Sequence, residues 1–439
     1  MQNTIYLSTK KHKKFLSLLE KRQKQYILFA KKTPSFPDIP VQKMKKSSPL
    51  DKKKKVLLYY STFQFGGGEY LPMLFMKELL ERGYDVTLLL RTGKELIAPT
   101  ADFYEIDIDL KRINIVVINP TDFPFYYISQ FLFFCKSRKI KKMAKDFDIC
   151  ISASNIFDFG KKAYHIIISA SFFHPFIHSP PPTGLFSLNS KVRTFVHLSK
   201  CKLFGLRPTK KIITDSGEHI YVPSRYIADI MHSLYGPFNW TLFYPPTIFE
   251  PDPSIQIERD PLRVIYLGRI YASKGIHEII GIVERARALS GFNIQLCFAG
   301  PMNSTFHRDG LTRTVENKSW IHFSDPVYKK DKAAFLLSGS YAIHAMREEA
   351  FGISITEYLK AGCIPIVPDE GGTAEIVANP ELIYHTNEDA SQILIHLLTD
   401  DAFRREQLAR CKERAKVFSA ERYMESQRRI LDSILGEQT

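Results

Sequence analysis

Two carboxylates, Glu349 and Glu357, stand eight positions apart in the run Arg347-Glu348-Glu349-Ala350-Phe351-Gly352-Ile353-Ser354-Ile355-Thr356-Glu357. Well upstream, Arg269 and Lys274 flank a glycine turn in Leu267-Gly268-Arg269-Ile270-Tyr271-Ala272-Ser273-Lys274-Gly275. Two cations at the start of a helix suit a diphosphate, which takes point charges together with backbone N–H groups aligned with the helix dipole. Arg and Lys at a helix start are equally common as solvated side chains. Two acids at this spacing are also expected by chance in a chain with 46 acidic residues. The flanks carry more weight. Phe351-Gly352 lies between the acids, Ala361-Gly362-Cys363-Ile364-Pro365 follows them, and the paired glycines of Asp369-Glu370-Gly371-Gly372-Thr373 come next. Glycine at such turns lets backbone approach a ligand closely.

These pieces need rigid elements to hold them. Val56–Tyr60 is a short apolar run of the kind buried in parallel sheets, followed by Gly66-Gly67-Gly68, a helix to about Arg82, and a strand at Val86–Leu90. Further apolar runs lie at Ile113–Ile118, Ile149–Ser152, His165–Ser169 and His219–Val222. A second series opens with a strand at Arg263–Gly268 and continues with a helix at about 276–289 and strands at Ile294–Phe298, Trp320–Phe323 and Ser340–His344. A helix at about 353–360 and a strand at Cys363–Val367 close it. The alternation predicts an α/β protein of two Rossmann-like, doubly wound domains facing a cleft at the carboxyl ends of their strands. The expected boundaries are an arm and linker over 1–55, a first domain over 56–245, a hinge over 246–261, a second domain over 262–410, and a C-terminal helix over 411–439 that crosses back to the first domain. The hinge rests on the proline-rich run Tyr244–Pro253.

Charge is concentrated in the arm. Residues 1–55 hold fifteen Lys and one Arg against Glu20, Asp38 and Asp51, which is +13 of the total +15. A basic arm on a nearly neutral body suits either an anionic membrane surface, contacted through residues 10–55, or a solvated extension, and does not suit broad nucleic-acid binding. Residues 10–31 have the period of one helix, with Phe15, Leu19, Tyr26 and Phe29 on an apolar stripe among Lys. The six cysteines, at 135, 150, 201, 297, 363 and 411, show no metal-ligand spacing and read as buried thiols in a reducing compartment. No secretory signal or membrane-spanning run is visible, so the expected location is cytoplasmic, peripheral on a membrane face if the arm binds there.

The three motif pieces, in this order and spacing, resemble the retaining GT-B glycosyltransferases often called family four, or glycosyl transferases group 1. The resemblance covers about residues 56–430 and is dense from about 244. It implies that Glu357 binds the donor ribose and that Glu349 faces the transferred sugar. It implies that Arg269 and Lys274 clamp the diphosphate while Phe351, Gly352 and Ile353 add backbone contacts. Val327, in the turn Asp325-Pro326-Val327, would position the base. Gly66, Gly67 and Gly68 match the family's glycine loop facing donor phosphates and acceptor. Phe172-Phe173-His174-Pro175 is similar to a His-containing loop of membrane mannosyltransferases that build lipid-linked oligosaccharides, which makes His174 a candidate for a hydroxyl contact. Tyr244-Pro245-Pro246 and Ile343-His344-Ala345-Met346 point to the same subgroup.

What the resemblance implies is hexose transfer from a nucleotide-diphosphate sugar, with UDP or GDP undetermined, to a hydroxyl of a glycan or lipid-linked acceptor, with retention. No cofactor or metal is expected. Asp107-x-Asp109 and Asp146-x-Asp148 match the metal motif of other glycosyltransferases, but such matches arise by chance, and two cations already supply the charge a metal would bring. The aromatic run Phe123–Phe134 reads either as core helix packing or as a grip on a lipid acceptor. The competing class is a catalytically inactive GT-B adaptor whose basic arm binds RNA, membrane or a protein partner. Intact Arg269, Lys274, Glu349 and Glu357 weigh against it.

Overall fold

The structure, a computed structural model, describes residues 53–63, 67–118, 136–168, 217–247, 249–252, 254–302 and 317–437, with 202, 207, 209–215 and 314–315 between them. The expected arm helix, the aromatic run 123–134, Gly66 and the loop bearing His174 lie outside these residues. The chain forms two units, passing from the first to the second at Phe249 and returning to the first at Ala420.

The first unit runs β1 (Lys55–Thr62), α1 (Tyr70–Glu81), β2 (Asp85–Thr92), α2 (Ile97–Phe103), β3 (Asn114–Val117), α3 (Ser137–Ala144), β4 (Ile149–Ser152), β5 (Tyr164–Ile166), β6 (His219–Val222), α4 (Arg225–Tyr235) and β7 (Trp240–Leu242). Its seven strands lie in the order β3-β2-β1-β4-β5-β6-β7, all parallel. The alternation of side chains along β1 explains its apolar run. Val56, Leu58 and Tyr60 enter one core cluster, while Leu57 and Tyr59 enter the other, on the opposite face. Gly83, at φ +84°, ends α1 in the left-handed conformation that suits glycine.

The last helix, α11 (Ala420–Leu435), belongs to this unit, and its Tyr423, Ile430, Leu431, Ile434 and Leu435 complete the core cluster around Val56. Gln427, fully buried, accepts from Tyr423 Oη at 2.8 Å and donates to Leu74 O at 3.2 Å.

The second unit runs β8 (Asp260–Leu267), α5 (Ile276–Ser290), β9 (Gln295–Ala299), β10 (Ile321–Ser324), α6 (Lys329–Ser338), β11 (Gly339–Ile343), α7 (Ile353–Ala361), β12 (Ile364–Pro368), α8 (Gly372–Val377), β13 (Ile383–Tyr384), α9 (Asn387–Thr399) and α10 (Asp401–Ala415). Its parallel sheet has the order β10-β9-β8-β11-β12-β13. Strand order reverses between β8 and β11, which opens a ligand crevice at their carboxyl ends.

Sequence reading placed the return helix from 411, whereas α10 continues to Ala415 and stays with the second unit. Cys411 is buried there, and Arg414 donates to Ile376 O at 2.7 Å and to Glu375 O at 2.9 Å.

Two glycines join the ends of β8 and β9. Gly268 and Gly300 have φ of +154° and +149°, and a Cβ on Gly300 would lie 1.9 Å from Gly268 O. Gly300→Ala is therefore expected to destabilise the protein by more than about 2 kcal/mol, through overpacking against backbone that cannot swing away. Gly281→Ala, on α5 with no atom within 4 Å of the added methyl, is expected to stabilise by about 0.5–1 kcal/mol. Urea denaturation midpoints of the two variants, moving in opposite directions, check this pair. A Gly300→Ala midpoint at the wild-type value would contradict the packing argument.

Candidate active site

Four segments meet at the carboxyl ends of β8, β11 and β12. The first is the turn after β8, which carries Arg269 and leads through a short 3-10 turn, Ala272–Lys274, to Gly275 at φ +70° and into α5. The turn is fixed from both sides: Tyr266 Oη donates to Arg269 O at 3.1 Å, and Leu267 N donates to Tyr358 Oη on α7 at 2.6 Å. A Cβ on Gly275 would lie 2.6 Å from Ala345 Cβ, so the start of α5 sits directly on the chain leaving β11.

The second segment is that chain, His344 to Gly352. Arg347 braces it by donating to Asp369 Oδ1 and to His385 O, each at 2.7 Å, while His385 Nδ1 meets Asp369 Oδ2 at 2.6 Å. The third is α7, whose N-cap Gly352 has φ +100° and would place a Cβ 2.9 Å from Thr373. The fourth is the glycine pair after β12, where Gly372 N donates to Glu349 O at 2.7 Å. The start of α7 presents amide groups without intrahelical partners at the positive end of the helix dipole.

The side chains these segments bring together include most of those expected from sequence. Lys274 Nζ donates to Glu349 Oε2 at 2.5 Å, joining residues 75 positions apart. That glutamate side chain is 20% exposed, so it is packed yet open to a ligand. Burial alone would push its carboxyl up. The His344 ring, its Nε2 at 3.7 Å, and the Lys274 ammonium outweigh burial and hold the carboxyl well below its ordinary 4.5. Glu349 is thus a standing negative charge at neutral pH. Arg269 is exposed, its guanidinium 5.5 Å over the Tyr271 ring. Phe351 is buried, and Ile353 opens α7. Glu357 is buried on α7 and accepts from Lys332 on α6. Val327 is half-buried in the turn between β10 and α6.

The remaining candidates belong to the first unit or fall outside the described residues. Gly67 and Gly68 belong to the first unit, in the 3-10 turn that leads into α1. A Cβ on Gly68 would meet only Ile168 at 3.5 Å and Tyr60 Oη at 3.6 Å, which is ordinary contact. Gly66 and His174 lie outside the described residues. Of the two Asp-x-Asp motifs, Asp109 caps a short turn by accepting from Lys111 N, and Asp148 accepts from Lys55 N at 2.7 Å. Among the described residues no cluster of three or more metal-ligating side chains is present. No described helix is long and apolar enough to cross a membrane.

Sequence reasoning missed two members of the site. His344 figured only as part of a subgroup motif, and its Nδ1 is buried without a hydrogen-bond partner. Lys332 lies in a run with Lys329 and Lys330, and nothing in the sequence separates it from those solvated neighbours.

Two parallel sheets of this order, with a charged site at the strand ends of the second, define a GT-B fold. Residues 249–418 match the family described as "Glycosyl transferases group 1". The fold recurs across nearly the whole chain in solved structures. WaaG, a glycosyltransferase involved in lipopolysaccharide biosynthesis, superposes with a TM-score of 0.60 at 16% identity, covering 87% of this chain and 100% of that one. A sucrose-phosphate synthase from Thermosynechococcus elongatus gives 0.64 at 14% identity, covering 88% and 100%. Anabaena HepE in complex with UDP and glucose gives 0.57 at 13%, covering 87% and 100%. In sequence, the chain is 23% identical over 159 residues to the phosphatidylinositol N-acetylglucosaminyltransferase gpi3 subunit of Schizosaccharomyces pombe, a match spanning 35% of this chain and 33% of that relative.

Proposed function

We propose that the protein transfers a hexose from a nucleoside diphosphate sugar to a hydroxyl of a glycan or lipid-linked acceptor, with retention of configuration. The observation that carries this reading is the Lys274–Glu349 pair at the start of α5, set against the N-terminus of α7. A cation, a standing anion and a helix dipole brought together suit a diphosphate leaving a sugar, and that supports the reading. Arg269 and Lys274 neutralise charge that develops on the departing diphosphate, and the amide groups of Phe351, Gly352 and Ile353 add to this. Glu349 stays ionised and therefore does not donate a proton. It accepts from sugar hydroxyls and favours positive charge near the anomeric carbon. Glu357 binds the ribose, and the turn at Val327 positions the base. Among the described residues a Cβ on Gly68 would meet only ordinary contacts, which is consistent with room for a ligand there.

The lipid-linked class of acceptor is supported by relatives whose names speak of phosphatidylinositol and lipopolysaccharide. The +13 arm supports the same reading, because each Lys or Arg near an anionic leaflet contributes about 1 kcal/mol, enough to hold the enzyme on the cytoplasmic side of a membrane.

Two cations in the site make a divalent ion unnecessary for the leaving group. A thermal-shift panel of UDP, GDP and their sugars, run in excess EDTA, tests donor class and metal independence together. One nucleoside diphosphate is expected to stabilise by about 2.7 kcal/mol at 100 times its Kd. Binding only after Mn²⁺ or Mg²⁺ is restored would contradict metal independence and return attention to Asp107-x-Asp109.

A further inference from the structure

Glu357 is almost wholly enclosed, its side chain 4% exposed, and a carboxylate in that position is costly unless a cation answers it. The answer comes from Lys332, on the second turn of α6, which donates to Oε1. Among the described residues Glu357 has no other hydrogen-bond or ion-pair partner, so Oε1 is held and Oε2 is not engaged. Oε2 is also absent from the buried polar atoms that lack a partner, so it keeps access to solvent. A carboxylate fixed by one oxygen and open at the other is prepared to accept hydroxyl hydrogen bonds. Lys332 is itself packed, its side chain 19% exposed, and it follows the turn at Val327 by five residues. It thereby ties the carboxylate of α7 to the helix that continues from the base-positioning turn.

We propose that Lys332 is a positioning residue of the nucleoside subsite: it holds one oxygen of Glu357 so that the other, free oxygen reads the ribose hydroxyls. This rests on the assignment of Glu357 to ribose in the function proposed above. A merely structural Lys332 would support the packing of α6 on α7 without affecting which sugar hydroxyls are read. A Lys332 that met the diphosphate itself would affect ribonucleotides and dideoxynucleotides alike.

The test is calorimetric titration of the full chain with UDP and GDP and with their 2′,3′-dideoxy counterparts, for wild type, Lys332→Met, Lys332→Arg, Glu357→Gln and the Lys332→Met/Glu357→Gln double variant. Wild type is expected to prefer the ribonucleotide by roughly tenfold or more, the worth of hydrogen bonds to a charged group. Lys332→Met is expected to erase most of that preference while leaving dideoxynucleotide affinity within about twofold, and Lys332→Arg to restore it. The double variant, which leaves no unpaired buried charge, is expected to discriminate no worse than Glu357→Gln alone. Undiminished ribose preference in Lys332→Met, or an equal loss for both nucleotide types, would overturn the role of Lys332 while leaving the donor site standing. Wild-type protein that binds neither UDP nor GDP would overturn the donor site and this inference with it.

Discussion

Arg269→Ala and Lys274→Ala are each expected to lower kcat/KM by on the order of 10²–10³, the cost of removing one preorganised partner of a developing charge. The two substitutions reach that loss by different routes. Arg269 is exposed and, among the described residues, its guanidinium lies over the Tyr271 ring, so its removal should leave stability within about 0.5 kcal/mol. Lys274 is packed against Glu349, so Lys274→Ala also strips a partner from an enclosed carboxylate. Its melting temperature should fall, and the Glu349 carboxyl should titrate nearer its ordinary range. Steady-state rates at saturating acceptor, with melting curves on the same preparations, separate the catalytic loss from the structural one. Transfer at the wild-type rate by both variants would remove the diphosphate from this turn.

The two glutamates are expected to divide their work. Glu357→Gln should weaken binding of the free nucleoside diphosphate by about tenfold, because a carboxylate accepts hydroxyl hydrogen bonds more strongly than an amide does. Glu349→Gln should spare that affinity and lower transfer by on the order of 10²–10³, since its partner is the sugar and not the nucleotide. Calorimetry with the free nucleoside diphosphate, set beside transfer rates, distinguishes the two, and equal loss of affinity in both variants would defeat the division.

The lowered Glu349 carboxyl adds a signature in pH. A carboxyl held below its unfolded value contributes stability that is full above about 4.5 and declines as the pH falls beneath it, toward the folded value. Glu349→Gln should therefore flatten part of the wild-type stability loss on the acid side of 4.5 and leave the neutral range unchanged in slope.

Much of the site was legible because its chemistry is local in sequence. Glu349, Gly352 and Glu357 sit on one strand-to-helix passage, and the run from Ile343 to Pro365 contains the strand, loop, helix and return that position them. Buried parallel strands such as Val56–Tyr60 read clearly because both faces are apolar. The two-residue β13 and three-residue β7 are too short to show a pattern. Helix α6 begins Lys-Lys-Asp-Lys, which reads as solvated loop, so Lys332 and its bond to Glu357 were hidden. Helix α10 is charged nearly all round, Asp-Ala-Phe-Arg-Arg-Glu-Gln-Leu-Ala-Arg, and offers no stripe from which to judge which unit it joins. Pairings across long stretches of chain, Lys274 with Glu349 above all, follow from the order of strands in the sheet and not from spacing.

The most direct test is an experimental structure of the second unit's site with the nucleoside diphosphate that gives the largest thermal shift. The account predicts diphosphate oxygens at the N-terminus of α7 within hydrogen-bond reach of Arg269 and Lys274, with ribose hydroxyls on Glu357 Oε2. A nucleotide bound elsewhere, or one bound here with its ribose turned away from Glu357, would contradict it.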